Sequence, residues 1–147
     1  MKKLILAIVA LAPLFGSAQS SKPQQPAKGP QISFEKTEHN FGVFDVEHGL
    51  QSCYFVFKNT GDEPLKIKDA VASCGCTVPE FPKKEIAPGA KDSIKVTYDG
   101  ASKRPGVFKK VVTLTYNSKE YEIARVYITG EMVDREATER VLSTIEK

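Results

Sequence analysis

The feature that most constrains the fold of this chain is a two-residue alternation of apolar and polar side chains, which dominates residues 31–131. Side chains with this period point to opposite faces of a β-strand, so each run can bury one face. The runs are short and rich in β-branched and aromatic residues, as strands are. They lie at residues 32–34, 53–57, 65–68, 94–98, 112–116 and 122–128.

Turn-forming residues separate these runs. The turns are predicted at residues 59–62, 87–89, 99–100, 104–106 and 117–118, where Gly, Pro, Asn and Asp supply the required backbone angles. About seven short strands without a central helix predict an all-β fold, an immunoglobulin-like antiparallel β-sandwich. The chain has no Trp, so it lacks the antibody-type core in which a Trp packs on a disulfide.

The N-terminal segment has the pattern of an export signal. Lys2 and Lys3 precede a mostly apolar run and then small residues, which predicts a signal peptide at residues 1–18. Residues 19–30 contain three prolines and almost nothing to bury, which predicts a flexible leader. We therefore expect an exported protein, located in the periplasm, the cell envelope or the extracellular space, with no membrane span after signal cleavage.

The C-terminal segment, residues 132–147, changes period. Apolar residues recur every four positions among charges, at Val133, Ala137, Val141 and Ile145. This spacing predicts a short amphipathic helix, with a frayed charged tail as the alternative. One β-sandwich domain is then expected at residues 31–131.

The charge balance and the absence of known motifs exclude several classes of function. The chain has 21 Lys and Arg against 18 Asp and Glu, and removal of Lys2 and Lys3 leaves 19 against 18. So balanced a chain lacks the basic surface typical of nucleic-acid binding. It also lacks a glycine-rich phosphate loop, a two-histidine metalloprotease helix and paired carboxylates placed for acid–base catalysis. We expect no catalytic residues and a protein that is not an enzyme.

The three cysteines are the most informative residues for chemistry. Cys53 lies inside a predicted strand, whereas Cys74 and Cys76 flank Gly75. An odd number leaves at least one thiol without a partner in the chain. One alternative is a structural disulfide from Cys53 to Cys74 or Cys76, which requires Cα atoms within about 7 Å. A bridge from Cys74 to Cys76 would close a very small ring and be easily reduced.

The other alternative is a site formed by Cys74 and Cys76 together. Residues i and i+2 of an extended segment share a face, and Gly75 permits a bend that brings the two sulfurs together. Two thiolates suit Cu(I) or Zn(II), or a thiol–disulfide exchange. His39 is the candidate third metal ligand, since His48 is expected in a solvated turn. The cofactor prediction is therefore none, with copper or zinc as the alternative.

Several motifs, taken together, resemble a known family. They are Phe34-Glu35, His39-Asn40-Phe41-Gly42, residues 55–65 (FVFKNTGDEPL), residues 73–79 (SCGCTVP) and residues 86–89 (IAPG). This combination, within residues 32–128, resembles the exported bacterial family called domain of unknown function 1573, although that family has Asp at the position of Asn40. The resemblance implies export and a fold similar to Hydin/ASPM-type domains and PapD-like chaperones, with no assigned activity.

The functional expectation is a non-catalytic module for protein binding or envelope structure. Its partner would be an unidentified protein, bound by addition of a strand to an exposed sheet edge. The alternative function is a thiol site at Cys74 and Cys76 that binds metal or exchanges disulfides.

Overall fold

A computed structural model describes residues 29–101, 103–119 and 122–145. The predicted signal peptide, residues 1–18, and the leader up to residue 28 lie outside the described residues.

The described residues form two packed β-sheets. The strands are β1 (Ile32–Phe34), β2 (Glu38–Asp45), β3 (Leu50–Asn59), β4 (Ile67–Ala72), β5 (Thr77–Glu80), β6 (Lys91–Asp99), β7 (Gly106–Tyr116) and β8 (Ile123–Val133). The first sheet has the order β1-β3-β6-β5 and the second β2-β8-β7-β4. The predicted all-β immunoglobulin-like sandwich is confirmed.

One strand pair is parallel, whereas the sequence predicts an antiparallel sandwich. β2 runs parallel to β8, whereas the other pairs within the described sheets are antiparallel. The chain leaves the first sheet after β1 and enters the second as β2, and β2 there pairs with the last strand rather than with a hairpin neighbour. The switch places β2 at the edge of the second sheet.

The core lies between the sheets and is built from alternate residues of the long strands. Fully buried side chains include Phe55, Phe57, Ile94 and Val96 of the first sheet and Val112, Leu114, Val126 and Ile128 of the second.

An aromatic cluster lies at one end of the core. The Tyr98 and Phe108 rings stack with centroids 4.1 Å apart, and the Phe44 ring meets both edge-on. Because Tyr98 belongs to the first sheet and the other two rings to the second, this cluster joins the sheets.

β2 was not predicted as a strand because a bulge interrupts its alternation. The register shifts between Asn40 and Val43, and Gly42 has a φ of 73°, in the left-handed region that favours glycine. The bulge turns both Phe41 and Phe44 towards the core, although they are three residues apart. The Asn40 side chain accepts a 2.8 Å hydrogen bond from the Gly42 amide, a role that an Asp could also fill.

The C-terminal boundary lies later than predicted. Met132 is buried and both it and Val133 belong to β8, so the strand passes the expected domain end at residue 131. The predicted helix is present as α1 (Arg135–Ile145), with the Asp134 carboxylate accepting from the Ala137 amide at 2.8 Å as an N-cap. Among the described residues, no helix has the length and apolarity needed to cross a membrane.

Asn59, at the end of β3, organises the adjoining loops. Its side chain is completely buried and makes four hydrogen bonds: the amide group donates to the carbonyls of Glu63 (2.8 Å) and Ile86 (3.0 Å), and the oxygen accepts from the amides of Gln31 (3.3 Å) and Gly61 (3.0 Å). One side chain thus joins the start of β1 to two turns.

Candidate functional site

The Cys-Gly-Cys segment carries the chain from one sheet to the other. It follows β4, an edge of the second sheet, and precedes β5, an edge of the first. Before it, the Ser73 amide donates to the Val111 carbonyl (2.9 Å) and the Ser73 hydroxyl accepts from the Val111 amide (3.2 Å). After it, the Asp99 amide donates to the Cys76 carbonyl (2.8 Å). Hydrogen bonds therefore fix both ends of this crossover.

Cys74 and Cys76 form a disulfide with each other, and Cys53 is free. The predicted bridge from Cys53 to either residue is therefore wrong. Cys53 pairs in register with Val96, which pairs with Pro79, so Cys53 lies two strand spacings, about 10 Å, from β5. Cys76 precedes Pro79 by three residues and therefore lies farther still from Cys53, outside the roughly 7 Å Cα separation that a disulfide spans.

The two ends of the disulfide differ in access to solvent. The Cys76 side chain is buried, at 6% exposure, whereas Cys74 is half-buried and packs on the core from outside. The Thr77 hydroxyl lies 3.4 Å from Cys74 Sγ and 4.0 Å from Cys76 Sγ. A Cβ placed on Gly75 would meet nothing within 4 Å, so this position faces open space.

The disulfide is a weak structural staple. Chain-entropy arithmetic gives about 1.6 kcal/mol for cross-linking a three-residue loop, against about 3 kcal/mol for a fifteen-residue loop. The crossover is already fixed by the hydrogen bonds of Ser73 and Cys76 described above. The bond therefore adds little to a conformation that the sheets impose.

The predicted metal set of Cys74, Cys76 and His39 does not assemble. His39 lies on β2 and Cys74 follows β4, at opposite edges of the second sheet, three strand spacings or about 14 Å apart. No group of three potential ligands capable of holding a metal ion occurs within residues 29–101, 103–119 and 122–145. Binding of copper or zinc by the reduced cysteines alone stays a prediction.

The His39 side chain instead packs against Phe41 of the same strand. Its ring meets Phe41 edge-on, with centroids 4.7 Å apart, and its Nδ1 atom lies 3.1 Å from Lys36 Nζ. Burial and then the Lys36 charge lower the pKa of His39 from its ordinary value. The other histidine, His48, lies exposed in a 3-10 turn, as expected for a solvated residue.

Cys53 has the environment of an inert core thiol. It is 5% exposed, and burial raises the pKa of its thiol to about 11. The thiolate is the reactive form of cysteine, so a thiol with so high a pKa is unreactive near neutral pH.

The second candidate site is the open side of β2. This eight-residue strand pairs with β8 on one side, and no strand of the described residues pairs with the other. The Tyr127 amide donates to the Thr37 carbonyl, so the next residue, Glu38, and alternate residues after it direct their backbone groups to the open side. The next such residue is Asn40, and because the bulge adds one residue, the one after it is Val43.

A groove of about 250 Å³ lies on the other side of β2 from this open edge, over β8 and between β2 and β7. It is lined by Asn40, Gly42, Val43, Val107, Thr129, Gly130 and Glu131. Val43 is 59% exposed and Val107 82% exposed, so two apolar side chains border the groove without cover from the described residues.

The other sheet edges are less suited to pairing. β1 has three residues, and β5 has four and includes Pro79, which has no amide hydrogen to donate. β4 has six residues and its register shifts near its start. The Ala70 amide in β4 already donates to the Asp69 carboxylate at 2.8 Å.

The two packed four-stranded sheets and the single short helix of the described residues define an immunoglobulin-like β-sandwich. Residues 32–132 match the family described as "Protein of unknown function (DUF1573)". The chain belongs to this family, which confirms the resemblance seen in its motifs. No curated protein matches the chain.

Solved structures share the fold at low sequence identity. A protein of unknown function from Porphyromonas gingivalis W83 is 14% identical with a TM-score of 0.62, over 76% of this chain and 51% of that one, so the chain spans about half its length. The ASH/PapD-like domain 7 of human CEP192 is 8% identical with a TM-score of 0.58, over 83% and 99%. The periplasmic chaperone SfaE is 8% identical with a TM-score of 0.50, over 71% and 58%. These similarities concern the fold alone.

Proposed function

We propose that the protein is an exported, non-catalytic binding module that takes up an extended segment of a partner protein along β2. The observation that carries the proposal is the eight-residue open edge, which directs the backbone groups of Glu38, Asn40 and Val43 outward and leaves the Val43 side chain exposed. Backbone groups supply affinity in strand addition, and pockets for alternate side chains supply specificity.

The bulge at Gly42 supports a selective interaction. Bulges protect edge strands from indiscriminate pairing because they kink the row of backbone groups. A partner strand must follow this kink, and an apolar side chain on it can pack against the exposed Val43. The fold similarity to a PapD-like domain and to a periplasmic chaperone agrees with protein binding and with export.

Two valines provide a matched test. Val43 on β2 and Val71 on β4 are both 59% exposed and lie at opposite edges of the same sheet. Peptides that bind the wild-type domain are selected from a displayed library of extended sequences. Val43→Lys is expected to weaken their binding about tenfold or more, since an edge lysine deters strand pairing, whereas Val71→Lys is expected to leave it unchanged.

Amide hydrogen exchange locates the contact. Bound peptide is expected to slow exchange of the outward amides of Asn40 and Val43. Protection at β4 instead, or equal losses of affinity in the two lysine variants, would contradict the assignment to β2.

A further inference from the structure

We propose that Cys74 and Cys76 form a redox-active pair that exchanges its disulfide with a protein dithiol. The proposal is independent of strand addition at β2, because Cys74 follows β4 at the opposite edge of that sheet. It rests on the unequal burial of the two sulfurs, on the open space at Gly75 and on the hydrogen bonds that hold the crossover without the disulfide.

The difference in burial makes Cys74 the sulfur that is attacked. A nucleophile approaches a disulfide in line with the S–S bond, from the side opposite the leaving sulfur. With Cys76 in the core as the leaving sulfur, that approach comes from the solvent side, next to Gly75. The missing side chain at Gly75 leaves room there for the backbone of a partner.

The exchange proceeds in two balanced steps. A partner thiolate attacks Cys74 Sγ and forms a mixed disulfide, while the Cys74–Cys76 bond breaks and Cys76 leaves as a thiolate that takes a proton from solvent. The second partner thiolate then attacks the partner sulfur of the mixed disulfide and displaces Cys74, which is protonated in turn. The partner dithiol loses two electrons and two protons and becomes a disulfide, and the domain becomes the dithiol.

Two features of the crossover favour this chemistry. The Thr77 hydroxyl is within reach of both sulfurs and can donate to a thiolate on either one, which stabilises the charged form. The backbone bonds of Ser73 to Val111 and of Cys76 to Asp99 contain no sulfur, so the crossover keeps its conformation after reduction. Cys53 takes no part because its side chain is buried in the core, as part of β3.

The first experiment uses the wild-type chain and a synthetic peptide carrying two reduced cysteines. Alkylation followed by mass spectrometry is expected to show one peptide disulfide formed for each domain reduced, with the near-ultraviolet circular dichroism of the fold retained. Reduction that requires denaturant would overturn the proposal, since the disulfide would then be a buried structural bond.

Single-cysteine variants test the assigned order of attack. Cys76→Ser leaves the accessible Cys74 thiol, and Cys74→Ser leaves the buried Cys76 thiol. With oxidised glutathione, Cys76→Ser is expected to form a mixed disulfide at least tenfold faster than Cys74→Ser, with peptide mapping to exclude Cys53. Equal rates would overturn the assignment.

A variant at the glycine keeps the test independent of cysteine loss. Gly75→Val is expected to slow reduction by the dithiol peptide several-fold at an unchanged melting temperature, because the added side chain enters open space and shields Cys74. An unchanged rate in Gly75→Val would also contradict the proposed approach.

Discussion

Replacement of Asn59 by Ala should destabilise the sandwich by roughly 2.5–6 kcal/mol, the sum of the losses of its four hydrogen bonds. The bond to the Ile86 carbonyl is fully buried, so its loss leaves that acceptor without a partner and costs about 1–3 kcal/mol. The bonds to Gln31, Gly61 and Glu63 are partly buried, and water replaces them incompletely, at about 0.5–1 kcal/mol each. The measurement is equilibrium unfolding in urea with the denaturant dependence unchanged.

Asn117 is the matched control for this change. Its side chain also makes two hydrogen bonds to backbone, accepting from Lys66 and donating to Pro64, but it is exposed and water can take its place. Asn117→Ala should therefore cost no more than about 1 kcal/mol. Equal losses in the two variants, or a loss below about 1 kcal/mol for Asn59→Ala, would refute the importance assigned to the buried bonds.

Asn59→Asp separates hydrogen-bond direction from size. The nearly isosteric carboxylate keeps both acceptor bonds but faces the carbonyls of Glu63 and Ile86, so burial and these oxygens should raise its pKa in the folded state. A folded state that binds more protons gains stability as the pH falls. The difference from wild type should therefore shrink on acidification, and a constant difference would contradict this account.

Two further predictions concern a glycine and a histidine. Gly61→Ala should cost about 1–3 kcal/mol, because its Cβ would lie 2.6 Å from the Gln31 backbone nitrogen, whereas Gly75→Ala, in open space, should be nearly neutral in the same urea assay. The lowered pKa of His39 means that the folded state binds fewer protons than the unfolded state, so wild-type stability should fall as the pH drops below the ordinary value of 6.5. His39→Gln should flatten this dependence, and an unchanged slope between neutral pH and pH values below 6.5 would show that burial and Lys36 do not control the group.

Strands with uninterrupted alternation were predictable, and irregular ones were not. β3, β6, β7 and β8 each keep the two-residue period over a long stretch and appear where the sequence places them. The run predicted at residues 65–68 is displaced, because Leu65 forms an isolated bridge to Ile86 and the strand proper begins at Ile67. β5 could not be predicted, because its four residues, which include Pro79, are too few to show a two-residue alternation.

The candidate sites were likewise only partly predictable from the sequence. That Cys74 and Cys76 lie close together could be inferred from their spacing around Gly75. That His39 lies far from them, and that β2 is an open edge, could not be inferred, because both depend on which strands become neighbours in the sheets.

The sequence by itself determined the class of fold, the position of the long strands, the C-terminal helix and the family, since local periodicity and turn chemistry act over a few residues. Only the tertiary structure decided the parallel pairing of β2 with β8, the pairing of Cys74 with Cys76 rather than with Cys53, and the unequal burial of those two sulfurs. These features arise from contacts between residues far apart in the chain. The local sequence pattern does not specify such contacts, which are selected by burial in one shared core.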